Sequence, residues 1–240
     1  IDMTIEFAKP LIENLLKMKK QNNQLFKHGD FCMGTGGWII NVYNIFKDKY
    51  NDIFDIYGYD VTPRTFQMGI MNIIITMGKL PTSGKFKCAS SLTNVTSDKM
   101  DLVTLNPPFI TDLEFKVIEN HFNTYQSTLD ENERIDINDV YKLRSNSAPV
   151  QFTELAIYKL ADNGVSIIVY PNGELFFSNN TEFRKYLLDT VDLKAIITYP
   201  QGIYRHTSIN TLVLVFIKDS RGTTETSFLR VSSNKNKECD

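Results

Sequence analysis

The chain has 240 residues, 42% of them hydrophobic and 22% charged, which suits a globular protein with room for one α/β domain or two small ones. Its formal net charge of −2 excludes a strongly basic surface, so a chain of this kind acting on DNA would take much of its grip from another domain or subunit. No apolar run reaches the length of a membrane helix, and the three scattered cysteines (Cys32, Cys88 and Cys239) form no CxxC pair, which points away from zinc and toward a reducing, cytoplasmic setting.

At the start, Ile1-Asp2-Met3-Thr4 lacks the basic and apolar regions of a secretion signal, and the missing initial Met reads as a piece of something longer. Residues 5–19 read as a helix with Leu11, Ile12, Leu15 and Leu16 on one face and Lys17, Lys19 and Lys20 at a solvated end. A weak strand, Gln24 to His28, leads into Asp30 and a glycine-rich turn. Trp38 to Phe46 is then helical, with Trp38 packing it on the sheet. Asp55 to Tyr59 is a second strand ending at Asp60, and Pro63 suits the first position of a helix reaching about Met77.

Phe86 to Ser90 is a short third strand, and Asp101 to Leu105 a fourth that runs straight into Asn106-Pro107-Pro108-Phe109. Residues 111–149 show no strong period and read as an irregular substrate-side loop, a length usually functional in a compact domain. Gln151 to Leu160 is a helix, Gly164 marks its end, and Val165 to Tyr170 is a fully buried strand. Glu182 to Asp189 is helical. Ala195 to Tyr199 and Thr211 to Ile217 are the last strands, and the turn Gln201 to Asn210 is short for a helical crossover, so they should pair antiparallel. Residues 219–240 form a C-terminal extension. With no internal repeat, the alternation reads as one α/β domain over 1–240 with a mostly parallel sheet.

Two motifs carry chemistry. In the first, Gly34-Thr35-Gly36-Gly37 follows a strand and opens a helix, where glycine lets the backbone turn tightly and approach a ligand. The helix start offers unpaired N–H groups to a carboxylate or phosphate, and Asp60 is placed to accept from a ribose diol. Together they read as a site for a nucleoside-containing cofactor. A plain strand-to-helix turn is the alternative. The spacing is neither GxGxxG nor a phosphate loop.

The second motif, Asn106-Pro107-Pro108-Phe109, stands at the carboxyl end of a strand, where open α/β sheets place their chemistry. The exocyclic amine of adenine is a poor nucleophile because its lone pair is delocalised into the ring. Two acceptors converging on its hydrogens, the Asn106 side-chain oxygen and the Pro107 carbonyl, would free that lone pair. Consecutive prolines restrict φ and lack N–H groups, which turns their carbonyls toward the site. Phe109 would stack on the extruded base, a contact worth ~1–3 kcal/mol, since adenine inside a duplex cannot be reached. A structural Pro-Pro turn is the alternative. His28, His121 and His206 show no metal-ligand spacing and read as surface or loop residues, and no metal is expected. Arg144, Arg205 and His206 lie in loops on the substrate side.

In this order the motifs resemble those of the gamma-class N6-adenine DNA methyltransferases, most closely the modification subunit of type I restriction–modification systems. The family's Asp-Pro-x-x-Gly-Thr-Gly-Gly-aromatic corresponds to Asp30-Phe31-Cys32-Met33-Gly34-Thr35-Gly36-Gly37-Trp38. Its acidic strand end and following helix look like Gly58-Tyr59-Asp60 and Met71-Asn72-Ile73, and its catalytic tetrad is Asn106 to Phe109. Later segments are similar at Phe152 to Leu160, Val169 to Phe176, Phe183 to Leu188 and Leu193 to Lys218, so the likeness covers about residues 4–218.

The resemblance implies a Rossmann-like class I methyltransferase fold, with a seven-stranded, mostly parallel sheet whose last strand is antiparallel and helices on both faces. It implies S-adenosylmethionine as donor, a flipped adenine in DNA as acceptor, and a specificity subunit or further DNA-recognition domain as partner. Cofactor binding would fall to Thr4, Asp30, Gly34, Thr35, Gly36, Gly37, Asp60 and Ser90. Four features depart from the family. Phe31 replaces its Pro, Ile5 replaces the Pro of its Thr-Pro, and the acid that follows its third strand is replaced within Ala89-Ser90-Ser91, where neutral Ser90 is a weaker acceptor. The helical N-terminal domain has no counterpart in these 240 residues. Related tetrads also methylate glutamine in release factors and guanine N2 in ribosomal RNA, and a catalytically inert methyltransferase-like module is a third possibility.

Overall fold

The structure is a computed structural model that describes residues 2–78, 84–109, 113–176, 180–200 and 210–231. Among them eight strands form one sheet in the spatial order β3 (Phe86–Lys87), β2 (Phe54–Tyr59), β1 (Phe26–Asp30), β4 (Met100–Leu105), β5 (Leu160–Pro171), β7 (Thr211–Ile217), β6 (Asp192–Thr198), β8 (Ser227–Arg230). All neighbours pair in parallel except β7, which runs antiparallel to both β5 and β6. The antiparallel pairing expected of the last two long strands is therefore present. The eighth strand lies within the segment read as a C-terminal extension and adds in parallel to β6 at the sheet's edge.

Helices cover both faces. α1 (Asp2–Gln21), α2 (Gly37–Tyr50) and α3 (Pro63–Met77) lie over one cluster of buried side chains. α4 (Phe115–Ser127), α5 (Ile137–Val140), α6 (Ala148–Lys159) and, after the short α7 (Asn172–Phe176), α8 (Thr181–Thr190) border the other. Strand residues alternate between the two layers: Leu102 joins the first cluster and Val103 the second, and all six residues of β4 are buried. A strand buried on both sides reads as a continuous apolar run.

Residues 111–149 are not the irregular loop expected of them. α4, a 3-10 turn at Glu131–Glu133 and α5 occupy much of that span. Phe115, Ile118 and Phe122 supply the buried face of α4 at helical spacing, but its next buried position is taken by Gln126. That amide donates to the Val95 carbonyl at 2.9 Å and accepts from the Ile135 N–H at 2.9 Å. A polar residue filling a core position hid the period.

His28 likewise departs from a surface role. It is fully buried in β1, with Nε2 hydrogen-bonded to Thr104 Oγ1 at 2.8 Å, and burial lowers its pKa to about 3, so the ring stays neutral. The end of α1 is not wholly solvated either. Lys19 pairs with Asp101 at 2.9 Å, and the same carboxylate accepts the Lys27 N–H at 2.9 Å, joining helix, β1 and β4.

One close approach positions the glycine turn. A β-carbon at Gly69, in the middle of α3, would stand 2.6 Å from the Gly34 carbonyl oxygen. Only a hydrogen fits there, so α3 lies directly against the turn. Elsewhere in a helix, alanine would be favoured over glycine by about 0.5–1 kcal/mol. Here Gly69→Ala is expected to reverse that sign and cost about 1–3 kcal/mol, read as a lower midpoint of thermal unfolding. An unchanged or raised midpoint would refute the close packing.

Candidate active site

The parallel register gathers the candidate residues on one edge. Asp30 is opposite Gly58 of β2 and Thr104 of β4. Asp60 and Asn106 each lie two residues beyond those partners, just past the ends of the strands that flank β1 at a spacing of about 4.8 Å. The glycine turn leaves β1 between them.

Gly34 (φ 54°) and Gly36 (φ 83°) both adopt the left-handed conformation that disfavours side chains. Among the described residues nothing lies within 4 Å of where a Gly34 β-carbon would be, so they leave the turn open on that side. Gly36 precedes α2 without any side-chain cap, and the orphan amides of the first turn from Gly37 onward are available to an anionic group. Thr35 is exposed, and its carbonyl accepts from Asn72 Nδ2 at 3.1 Å. Asp60 fastens the turn: one carboxylate oxygen accepts the Gly34 N–H at 2.9 Å and the other the Thr62 N–H at 2.8 Å. Each oxygen retains a second lone pair for a hydroxyl.

Asp30 is fully buried. Its Oδ1 accepts the Cys32 N–H at 3.1 Å, while Oδ2 is buried without a partner among the described residues. Burial raises its pKa to about 8, the Cys32 amide opposes that rise, and the charge of Asp60 adds to it. Cys32 is held well above the usual thiol range by burial and by the same two carboxylates, so it stays a thiol.

Asn106 is exposed at the end of β4, and no hydrogen bond joins its side chain to another described residue. Pro107 is buried, Pro108 exposed, and Phe109 half-buried against the cluster under α1–α3. The two proposed acceptors therefore follow one another along the chain on the edge that holds the glycine turn.

Two further expected residues have protein partners of their own. Thr4 is buried, and its hydroxyl is hydrogen-bonded to that of Tyr199. Ser90 follows β3 half-buried, and its carbonyl accepts the Asn94 N–H at 2.9 Å. Its neighbour Ser91, which sequence reasoning passed over, is buried and donates to the Phe31 carbonyl at 2.7 Å. Gly69 was missed too, although a lone glycine inside a helical pattern is a signal of close packing. Arg144 is exposed and lies 3.5 Å from Glu119, whereas Arg205 and His206 fall outside the described residues.

The donor set suits a nucleoside-bearing, charged ligand: an open glycine turn, orphan amides, an acid at the next strand end and a buried carboxyl oxygen without a partner. Among the described residues no three His, Cys, Asp or Glu gather as metal ligands, and no helix is long and apolar enough to cross a membrane. Another groove, of about 260 Å³, lies at the opposite edge, lined by Leu11, Asn163, Lys194 and Arg221 among others. Its cations are already paired, Lys194 with Asp192 and Arg221 with Asp219, so it offers little for an ionic ligand.

The chain is similar to known proteins over nearly its whole length. The family described as N-6 DNA Methylase matches residues 8–239. The methylase subunit of the type I restriction enzyme EcoEI from Escherichia coli is 26% identical over 202 residues, covering 79% of this chain and 37% of that protein. The methyltransferase subunit of a type I restriction–modification system from Streptococcus thermophilus superposes with a TM-score of 0.68 at 23% identity, over 92% of this chain and 45% of that one. A Listeria monocytogenes protein described as a class I S-adenosylmethionine-dependent methyltransferase gives 0.66 at 15%, over 96% and 65%. The fold is thus the class I methyltransferase fold. The chain spans well under half the length of the curated relatives it matches.

The state of Asp30 can be measured. An aspartate at about 4 when unfolded and about 8 when folded keeps, in between, a proton the unfolded chain has lost. Its contribution to stability is complete below about pH 4 and declines as the pH rises toward 8. Asp30→Asn is expected to remove that decline, so the variant gains on the wild type from pH 5 to pH 8 by at most about 1.4 kcal/mol per pH unit. A constant difference in melting temperature across that range would show that Asp30 is ionised throughout.

Proposed function

The chain belongs to the N-6 DNA methylase family, and we propose that it transfers the methyl group of S-adenosylmethionine to the N6 amine of adenine in DNA. The observation that carries this reading is the juxtaposition of Asn106–Phe109 with the glycine turn, which the register of β1 and β4 brings to one edge.

In this reading the Gly34–Gly37 turn and the first amides of α2 take the donor's carboxylate end, and Asp60 accepts from its ribose hydroxyls. The buried oxygen of Asp30 serves its cationic portion. When bound, the donor supplies an electrophilic methyl on a sulfonium. Asn106 Oδ1 and the Pro107 carbonyl accept the two amine hydrogens, drawing nitrogen out of conjugation so that its lone pair can point at the methyl. Phe109 stacks on the base and excludes water from one face. Positioning of this kind, which converts an encounter between two molecules into a first-order step, supplies much of the acceleration.

Because adenine is stacked and paired in a duplex, the target must be extruded, at a cost of a few kcal/mol. A chain of net charge −2 is poorly suited to do that alone. A specificity subunit or further DNA-recognition domain as partner is supported by that charge and by the chain's short span against its relatives.

The competing reading is a methyltransferase-like module without catalysis, which the engagement of the Thr4 hydroxyl by Tyr199 favours. Two measurements separate them. Titration calorimetry with S-adenosylmethionine is expected to give measurable heat, and its absence at millimolar ligand supports the inert module. Expression together with its DNA-recognition partner, in a host free of adenine methylation, should leave N6-methyladenine in the genomic DNA. Asn106→Ala is expected to abolish that mark while the heat of donor binding persists. Methylation retained by the variant removes the mechanism.

A further inference from the structure

Pro107 is buried and Phe109 packs against the cluster under α1–α3, but few hydrogen bonds restrain the tetrad after β4. Pro107 and Pro108 have no N–H to donate, Asn106 is exposed, and the last register pair of β4 with β5 is Leu105 with Ile168. The positions of the Asn106 oxygen and the Pro107 carbonyl depend on how the chain is held on either side of them. The β4 side is held by the sheet.

On the other side the next described residue after Phe109 is Leu113, and the chain there is held by two side-chain amides from a different part of the chain. The Leu113 N–H donates to the Asn146 carbonyl at 2.7 Å, and the Phe115 N–H to Asn146 Oδ1 at 2.9 Å. Gln151, fully buried near the start of α6, donates through Nε2 to the Leu113 carbonyl at 3.0 Å and to the Ser145 carbonyl at 2.6 Å. Both hydrogens of that amide are engaged, one on each of two chain segments. Glu154, one turn further along α6, accepts the Lys142 and Leu143 N–H groups at 2.6 and 2.9 Å. The loop at 141–147 is thereby fixed to α6 and in turn grips the chain at 113–115.

We propose that Gln151 and Asn146 are positioning residues for methyl transfer, anchoring the carboxyl side of the chain that carries Asn106–Phe109. The inference rests on reading that tetrad as the transfer site. Removing the Gln151 amide would take from the half-buried Leu113 and Ser145 carbonyls the donor they share, so the anchor would loosen. A displacement of the acceptor atoms by about 1 Å can cost a hundredfold in rate without touching the donor's site.

Three variants test it. Gln151→Met keeps the side-chain length and removes both donors. Asn146→Ala acts at an exposed residue and removes only the acceptor for the Phe115 N–H, while Asn146→Asp restores that acceptor. Should Gln151→Met fail to fold, the Asn146 pair carries the test. Gln151→Met and Asn146→Ala are expected to lower kcat for DNA by about ten- to hundredfold, with calorimetric affinity for S-adenosylmethionine unchanged within about twofold. Amide exchange at Leu113 and Phe115 is expected to quicken at least about tenfold in both, and Asn146→Asp to recover most of kcat and of the protection.

Faster exchange with kcat intact would overturn the inference, because the anchor would then be irrelevant to transfer. Unchanged exchange would overturn it as well, because the two side chains would not be the anchor. If the wild-type protein, supplied with its DNA-recognition partner, transfers no methyl group to any DNA, the functional reading fails instead, and exchange at 113–115 still decides whether the anchor exists.

Discussion

Parallel pairing of β1 with both β2 and β4 is the constraint on which the rest of this molecule depends. In a parallel sheet the strands end on a common edge, and the loops that leave them cannot pair with one another as hairpins do. Asp30, set between Gly58 and Thr104, therefore sends the glycine turn out between the acid of the next strand and the Asn-Pro-Pro-Phe of the other neighbour. The helices on the two faces keep water from the strands, and that burial leaves one oxygen of the Asp30 carboxyl without a partner among the described residues and its proton retained near neutrality. A cationic ligand would make that oxygen's isolation favourable, since a nearby positive charge stabilises the ionised carboxylate.

The turn itself is held by means that differ from the family's pattern. Where a proline would restrict φ, Phe31 drops its ring into the core against Tyr59, with centroids 5.5 Å apart, and its carbonyl receives the Ser91 hydroxyl. Packing and a buried hydrogen bond replace a covalent restriction. Gly69 then lets α3 close on the Gly34 carbonyl, and Asp60 ties the Gly34 N–H to the end of β2. The turn is restrained on three sides and open on the fourth. A site of this kind can accept a ligand with little rearrangement, which keeps the entropic cost of binding low.

The two halves of the molecule contribute differently. The α1–α3 side supplies the cofactor turn and its supports from contiguous sequence. The α4–α8 side supplies anchors from far along the chain, Asn146 and Gln151, to a segment that follows the tetrad by only a few residues. Such a polar network ties the position of one loop to the integrity of another, and in it Gln151 Oε1 and Glu154 Oε2 are buried without a partner among the described residues.

Much of the fold was legible in the chain itself. The buried strands announced themselves as apolar runs, Pro63 marked the start of α3, and the short polar turn after Tyr199 implied an antiparallel partner, because these signals are local and arise from sterics and side-chain period. The glycine turn, Asp60 and the tetrad were readable for the same reason: their chemistry is written in adjacent residues. What sequence alone could not determine was set by contacts between distant residues. Gln126 and His28 are polar side chains whose burial depends on partners 76 residues away for His28 and 31 for Gln126, so composition suggested solvent for His28 and hid the helix around Gln126. The pairing of Thr4 with Tyr199, the proton on Asp30, and the grip of Gln151 on Leu113 exist only once the sheet has closed. Hydrogen-bond partners and desolvation are properties of packing, and no period along a chain encodes them.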